Sequence, residues 1–168
     1  DVLQNVRRSV VHIYWKTEGE SHDRTPGFAA GNGIFVTVRP NAKVSEKVLL
    51  LTASGKHESA VALVDPATGL VLIEGNKNAV AQVPGIKFGT SREFFISSTI
   101  FGLQLNQEGH PDRAVQGVVI GHDRTLEGKS MPMAYMRLQI PGVTAYGGLP
   151  VLNERGEVIA VDLGKRLD

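Results

Sequence analysis

The sequence predicts an all-β protein, and three observations lead there. Nineteen glycines and eight prolines punctuate its 168 residues. Between them lie short apolar runs rich in β-branched side chains, which pack on a pleated, half-buried surface better than on a helix. Turn chemistry separates several of these runs, as in Ala53-Ser54-Gly55-Lys56, Asp65-Pro66-Ala67-Thr68-Gly69 and Glu154-Arg155-Gly156-Glu157.

Residues 1–9, apolar at positions 2, 3 and 6, permit one short amphipathic helix. Strands follow over residues 10–15, 33–38, 47–52, 59–64, 70–74, 97–101, 114–120, 134–139, 150–152 and 158–163. About ten such strands make a barrel or a sandwich. Gly31-Asn32-Gly33 reads as a tight turn; a strand and not a helix follows it, so it is no phosphate loop. The largely polar stretch 76–85 ends in Pro84-Gly85 and reads as the joint between two halves of a single domain, about residues 10–83 and 86–168. No repeat of fixed period supports a solenoid or propeller.

Composition bounds the function classes. With 42% hydrophobic residues, 21% charged residues and a net charge of +1, the chain has the make-up of an ordinary globular domain. Its only adjacent basic pairs are Arg7-Arg8 and Lys165-Arg166, so no polybasic tract points to nucleic acid or an anionic membrane. Cysteine is absent, which removes disulfides, thiol catalysis and thiolate metal sites. No apolar run approaches the roughly 20 residues of a membrane-spanning helix. The opening Asp1-Val2-Leu3-Gln4 is unlike a signal peptide, so the chain reads as a mature domain with any targeting segment upstream.

Several segments, in order, resemble the protease domain of the HtrA (Deg) family. Ser9-Val10-Val11-His12-Ile13 is similar to its opening strand, and Gly33-Ile34-Phe35-Val36-Thr37 to the run leading into its catalytic histidine. Residues 54–66 look like its hairpin and the strand that carries its aspartate. Phe88-Gly89-Thr90-Ser91 and Gln116-Gly117-Val118-Val119 resemble later family segments, and residues 147–160 its nucleophile loop and the strand beyond. The resemblance implies a trypsin-like double β-barrel, two packed barrels of about six antiparallel strands. The family continues past the strand ending near Asp162 with a further strand, so here either the second barrel is truncated or the chain is a fragment.

A serine protease needs a hydroxyl nucleophile, an imidazole to take its proton and a carboxylate to orient the imidazole. Aligned on the family, the histidine position is Pro40, after Thr37-Val38-Arg39, and no histidine lies between His22 and His57. The aspartate position is Gly69, at the end of Asp65-Pro66-Ala67-Thr68-Gly69; Asp65 reads as a turn residue. The serine position is Gly147, counted back from Pro150, or Tyr146 if the two glycines are paired instead. A phenol titrates near pH 10 and needs a base beside it, and the aligned base is proline. Thr144 is the nearest aliphatic hydroxyl and lies outside the aligned position. The expected protein is therefore an HtrA-like pseudoprotease, catalytically degenerate, with no catalytic residue and no cofactor.

Five histidines remain: His12, His22, His57, His110 and His122. None has strong metal-ligand spacing, and each reads as an exposed loop or strand residue; His110 and His122, each near an aspartate, are the weak metal candidates. Tyr14, Trp15, Phe28, Phe94, Phe95 and Phe101 read as core or barrel-end packing. The leading expectation is a non-catalytic scaffold or regulatory module that binds a protein or peptide, with homo-oligomers possible. By the resemblance it works in the bacterial periplasm or another extracytoplasmic compartment. Two alternatives stay open, a His/Asp metal-binding protein on the former cleft or its rim, and a weakly active serine-type endopeptidase.

Overall fold

The computed structural model describes residues 2–16, 22–80, 83–90, 94–126, 129–144 and 146–164. A single helical turn, α1 (Val2–Val6), precedes six strands: β1 (Val10–Lys16), β2 (His22–Gly31), β3 (Ile34–Val38), β4 (Lys47–Thr52), β5 (Gly55–Val64) and β6 (Leu70–Gly75). They close into an antiparallel barrel in the order β1-β2-β3-β6-β5-β4. After the short turn α2 (Lys77–Val80) come β7 (Thr99–Leu105), β8 (Pro111–Leu126), β9 (Lys129–Gln139), β10 (Pro150–Leu152) and β11 (Val158–Val161). These form a five-stranded half-barrel in the order β11-β10-β7-β8-β9.

Period-two alternation builds the cores. Val11, Ile13 and Trp15 of β1 point into the closed barrel, where they meet Ala29, Phe35, Val48, Leu50, Val61, Val71 and Ile73. The Trp15 indole N–H is satisfied inside by Thr25 Oγ1 at 2.9 Å. The neighbouring residues of the same strands face the other way. Phe28 pairs with Val36 across β2 and β3, and both pack with Leu103, Leu105, Leu149, Leu152 and Val158 of the second sheet. That cluster is the seam between the two sheets, and Val6 of α1 closes it at one end. A third cluster, built on Ile100, Val119, Val151 and Ile159, lines the opposite face of the second sheet.

Strand β2 has no counterpart among the expected strands, and proline and glycine at 26 and 27 are residues that strands disfavour. Here both residues have specific work. Gly27 lies where β1, β2 and β3 crowd: a Cβ there would stand 2.6 Å from the Val36 carbonyl oxygen and 2.7 Å from Ile13 Cδ1. The Pro26 carbonyl accepts a hydrogen bond from Thr37 Oγ1 at 2.9 Å. The expected strand 97–101 is shifted to Thr99–Leu105, and strands 59–64, 114–120 and 134–139 are longer than expected. The Gly31-Asn32-Gly33 turn is a hairpin with φ of 53° at Asn32 and 79° at Gly33, the left-handed pair that a two-residue connection between twisted strands requires. Trp15 and Phe28 are core residues as expected, but Phe95 is 68% exposed and takes no part in packing.

Gly27→Ala should lower stability by about 1–3 kcal/mol, since the rigid Val36 carbonyl cannot move aside. Urea unfolding followed by Trp15 fluorescence measures it. An unchanged midpoint would mean that β2 does not approach β3 as closely as described.

Candidate functional site

The end of β3 organises the site. Val38 pairs with Leu70 of β6, and just beyond it the Arg39 N–H bonds to the Gly69 carbonyl at 2.8 Å. Pro40 and Gly69 therefore lie side by side: a Cβ on Gly69 would stand 3.5 Å from the Pro40 nitrogen. Gly69 is buried with φ of +79°, closing a turn in which Asp65 accepts from Ala67 N–H at 3.1 Å and Thr68 Oγ1 at 2.7 Å. Asp65 is thus spent on the turn. Arg39 is held to the outside, over the Trp15 ring at 5.3 Å and paired with Asp23 at 3.0 Å.

The turn at Tyr146-Gly147-Gly148 reaches the same segment from the second sheet. Gly147 and Gly148 have φ of +80° and +99°. Gly148 is pressed onto Pro26, Thr37 and Val38: a Cβ would collide with the Pro26 carbonyl oxygen and stand 2.9 Å from Thr37 Oγ1. Pro40 and Gly69 thus stand side by side at the end of β3, and Gly147 is brought towards that strand by its neighbour Gly148, which packs on Thr37 and Val38. Neither proline nor glycine carries a group that can hold or move a proton. The Tyr146 hydroxyl accepts a long 3.4 Å bond from Gln104 Nε2, and Gln104 Oε1 accepts from the Thr144 N–H at 3.2 Å. The phenol thus has an amide for a partner, and no base among the described residues.

No family model matches the chain, and no curated protein matches it. Solved structures do. The active form of the Rv3671c protease from M. tuberculosis superposes with a TM-score of 0.70 at 16% identity, covering 95% of this chain and 71% of that one. The inactive form of the Rv3671c protease gives 0.71, again at 16% identity, over 95% of this chain and 79% of that one. The chain has the trypsin-like double β-barrel fold. At such identity the likeness carries the fold alone.

Asp162, just past β11, lies beside the turn, and it is not among the residues that the resemblance singles out. Its carboxylate accepts from Gly164 N–H at 2.7 Å, with the Gly147 N–H nearby. Burial raises its pKa, and the two N–H groups partly offset the rise. The signal available in the sequence was an aspartate two residues before Gly164 at the end of an apolar strand, which is also the signature of an ordinary strand end.

The histidines are scattered. His122 is exposed on β8, opposite Met136, and His110 is exposed at the β7–β8 turn, so the two metal candidates are not neighbours. Among the described residues no three His, Asp or Glu side chains converge. His22 has its side chain outside the described residues. His12 corrects the expectation of an exposed residue: it is 5% exposed, covered by Gly109 and set edge-on to His110 with ring centroids 5.6 Å apart. His57 is half-buried, its Nε2 2.7 Å from Ser54 Oγ on the β4–β5 hairpin. That Ser–His contact is local to an exposed turn, and among the described residues no carboxylate is hydrogen-bonded to the ring.

Two outcomes follow from this geometry. Gly147→Ala should cost about 1–2 kcal/mol for its left-handed backbone, since its Cβ meets nothing closer than 3.4 Å. Gly148→Ala should cost more, because collision adds to the same strain; chemical denaturation that ranked them in reverse would contradict the packing onto Thr37. The second concerns His12, whose pKa is lowered by burial first, then by Arg24 and His110, against a Gly109 hydrogen bond. A depressed imidazole pKa means that its stabilising share is complete above about pH 6.5 and is lost as pH falls through the folded-state value. Denaturation midpoints should drop between pH 7.5 and 5, and less steeply in His12→Gln; equal slopes would remove His12 from the account.

Proposed function

We propose that this domain is a non-catalytic relative of trypsin-like proteases, a pseudoprotease that binds a protein or peptide without cutting it. One observation carries the reading: Pro40 and Gly69, aligned with histidine and aspartate in the HtrA resemblance, are neighbours at the end of β3, Gly148 of the aligned nucleophile turn packs on that strand, and neither proline nor glycine carries a proton-transfer group. Losing one member of a triad leaves about 10³ to 10⁴-fold acceleration over water from binding and the oxyanion site. With all three gone, the proton relay has no components.

The restoring substitutions are themselves resisted. Serine at 147 or aspartate at 69 would have to adopt φ of +80° or +79°, which glycine takes freely and which costs a residue with a Cβ about 1–2 kcal/mol. The positive role is supported by exposed apolar side chains on β8 and on the segment that leads into β7. Phe95, Ile96 and Ile120 are 68%, 66% and 40% exposed, and the Ser97 N–H to Val119 carbonyl bond of 2.7 Å holds their two segments together. A patch of this kind on a rigid sheet suits contact with another protein. An extracytoplasmic place of action belongs to the same proposal, by the HtrA resemblance, and cell fractionation checks it.

The purified chain should neither hydrolyse fluorescent casein nor take up a fluorophosphonate label, and Tyr146→Phe and Thr144→Ala should behave identically. Turnover abolished by either substitution would overturn the proposal. For the binding role, Phe95→Ser with Ile96→Ser should keep the melting temperature and reduce recovery of partner proteins from an envelope extract; undiminished recovery moves the contact elsewhere on the surface.

A further inference from the structure

The turn between β7 and β8 meets the outside of β1 on a pair of imidazoles. His12 of β1 is 5% exposed, and its strand neighbours are Pro26 on β2 and Leu51 on β4, neither of which carries a charge. Gly109 supplies the cover: buried, with φ of +85°, it lies so close that a Cβ on it would stand 2.5 Å from His12 Cε1. The next residue, His110, sets its exposed ring edge-on to His12 with centroids 5.6 Å apart. The turn is braced by its own bonds. Asn106 N–H donates to the His110 carbonyl at 2.8 Å and Gly109 N–H to the Asn106 carbonyl at 3.0 Å, while Asn106 Oδ1 accepts from the Glu108 and His110 N–H groups, each at 3.0 Å.

An edge-on contact suits two neutral rings, whereas two imidazolium ions repel, most strongly where water is excluded. The surroundings do not relieve that repulsion. Burial first, then Arg24 of β2 and His110, opposes a positive charge on His12. On β4 the residue alongside is Leu51; beyond it on β5, Lys56 is held over the Tyr14 ring at 5.1 Å and Glu58 pairs with Leu49. Glu108 on the turn and Asp112 on β8 are exposed, and among the described residues no carboxylate forms an ion pair with either imidazole.

We propose that the His12–His110 contact is an acid-released latch: with both rings neutral the β7–β8 turn rests on β1 and ties the second sheet to the barrel, and protonation drives the turn away from β1. Because the charged form of His12 is disfavoured in the latched state, the latch is complete at neutral pH and is lost as pH falls. Release opens one end of the seam, where Val10 of β1 joins the cluster that contains Leu105, the residue of β7 next to the turn. The device uses none of Pro40, Gly69 and Gly147, so it stands apart from the pseudoprotease reading.

NMR of the 168-residue chain between about pH 7.5 and 4.5 tests the latch. At the upper pH a nuclear Overhauser effect should join the His12 Cε1 proton to the Gly109 α-protons. At the lower pH it should be lost, and exchange of the Asn106 and Gly109 amides should rise about tenfold or more beyond the intrinsic effect of pH, while the Trp15 indole resonance keeps its folded position. His12→Gln, which cannot take the proton, should show no such rise. Gly109→Ala, whose Cβ collides with the ring, should do the reverse and exchange at the upper pH as the unmodified chain does at the lower, after the same correction; it decides the matter if His12→Gln does not fold. An Overhauser effect that persists in acid, an equal rise in His12→Gln, slow exchange in Gly109→Ala, or loss of the Trp15 signal together with the contact would each overturn the proposal.

Discussion

Strands β2 and β3 serve two cores at once, and the rest of the molecule is arranged around that constraint. Ala29 and Phe35 look into the closed barrel while Phe28 and Val36 look into the seam with the second sheet. No solvent is left to satisfy polar groups between these layers, so each must find a partner within the protein, at a cost of about 1–3 kcal/mol where one does not. Thr37, fully buried, meets this by bonding the Pro26 carbonyl at 2.9 Å and lying 3.2 Å from Thr25 Oγ1, which in turn accepts the Trp15 indole N–H. The chain runs from the barrel core to the surface on which Gly148 rests.

Close backbone approach then dictates composition. Gly27 lets β2 pass between β1 and β3, and Gly148 lets the turn of the second sheet settle on Thr37. A residue with a Cβ at either place would force the two sheets apart, and with them the seam of Leu103, Leu152 and Val158. The site and the core are therefore one structure: the end of β3, beside which Gly69 lies and on which Gly148 packs, is also where the halves join.

Much of this was legible in the sequence wherever information is local. Strands β4 and β10 were read at their observed limits, because β-branched runs bounded by turn residues carry their own signal. β2 was illegible for a physical reason: Pro26 and Gly27 are breakers by propensity, and only a three-strand crowding invisible in one dimension makes them the right residues. The pairing of Pro40 with Gly69 was implied by the HtrA resemblance alone, since β3 and β6 are neighbours in the barrel but not in the chain. The partners of His12 and Asp162 were not implied at all, since Gly109 and Gly147 reach them from distant segments of the chain. Burial of an outward-facing histidine on β1 depends on a turn of the other sheet, and no pattern on β1 announces it.

Loss of a catalytic triad need not weaken such a frame. A triad keeps an acid and an imidazole partly desolvated, a standing cost that catalysis justifies and packing does not. On the proposed reading glycines occupy two of the three positions, and their left-handed backbone angles shape the loops that side chains would otherwise hold. Main-chain bonds then fix the turn: the Gly148 N–H donates to the Asp162 carbonyl at 2.7 Å and the Asp162 N–H to the Leu149 carbonyl at 2.9 Å, so the loop keeps its shape through the second sheet and needs no side chain to hold it.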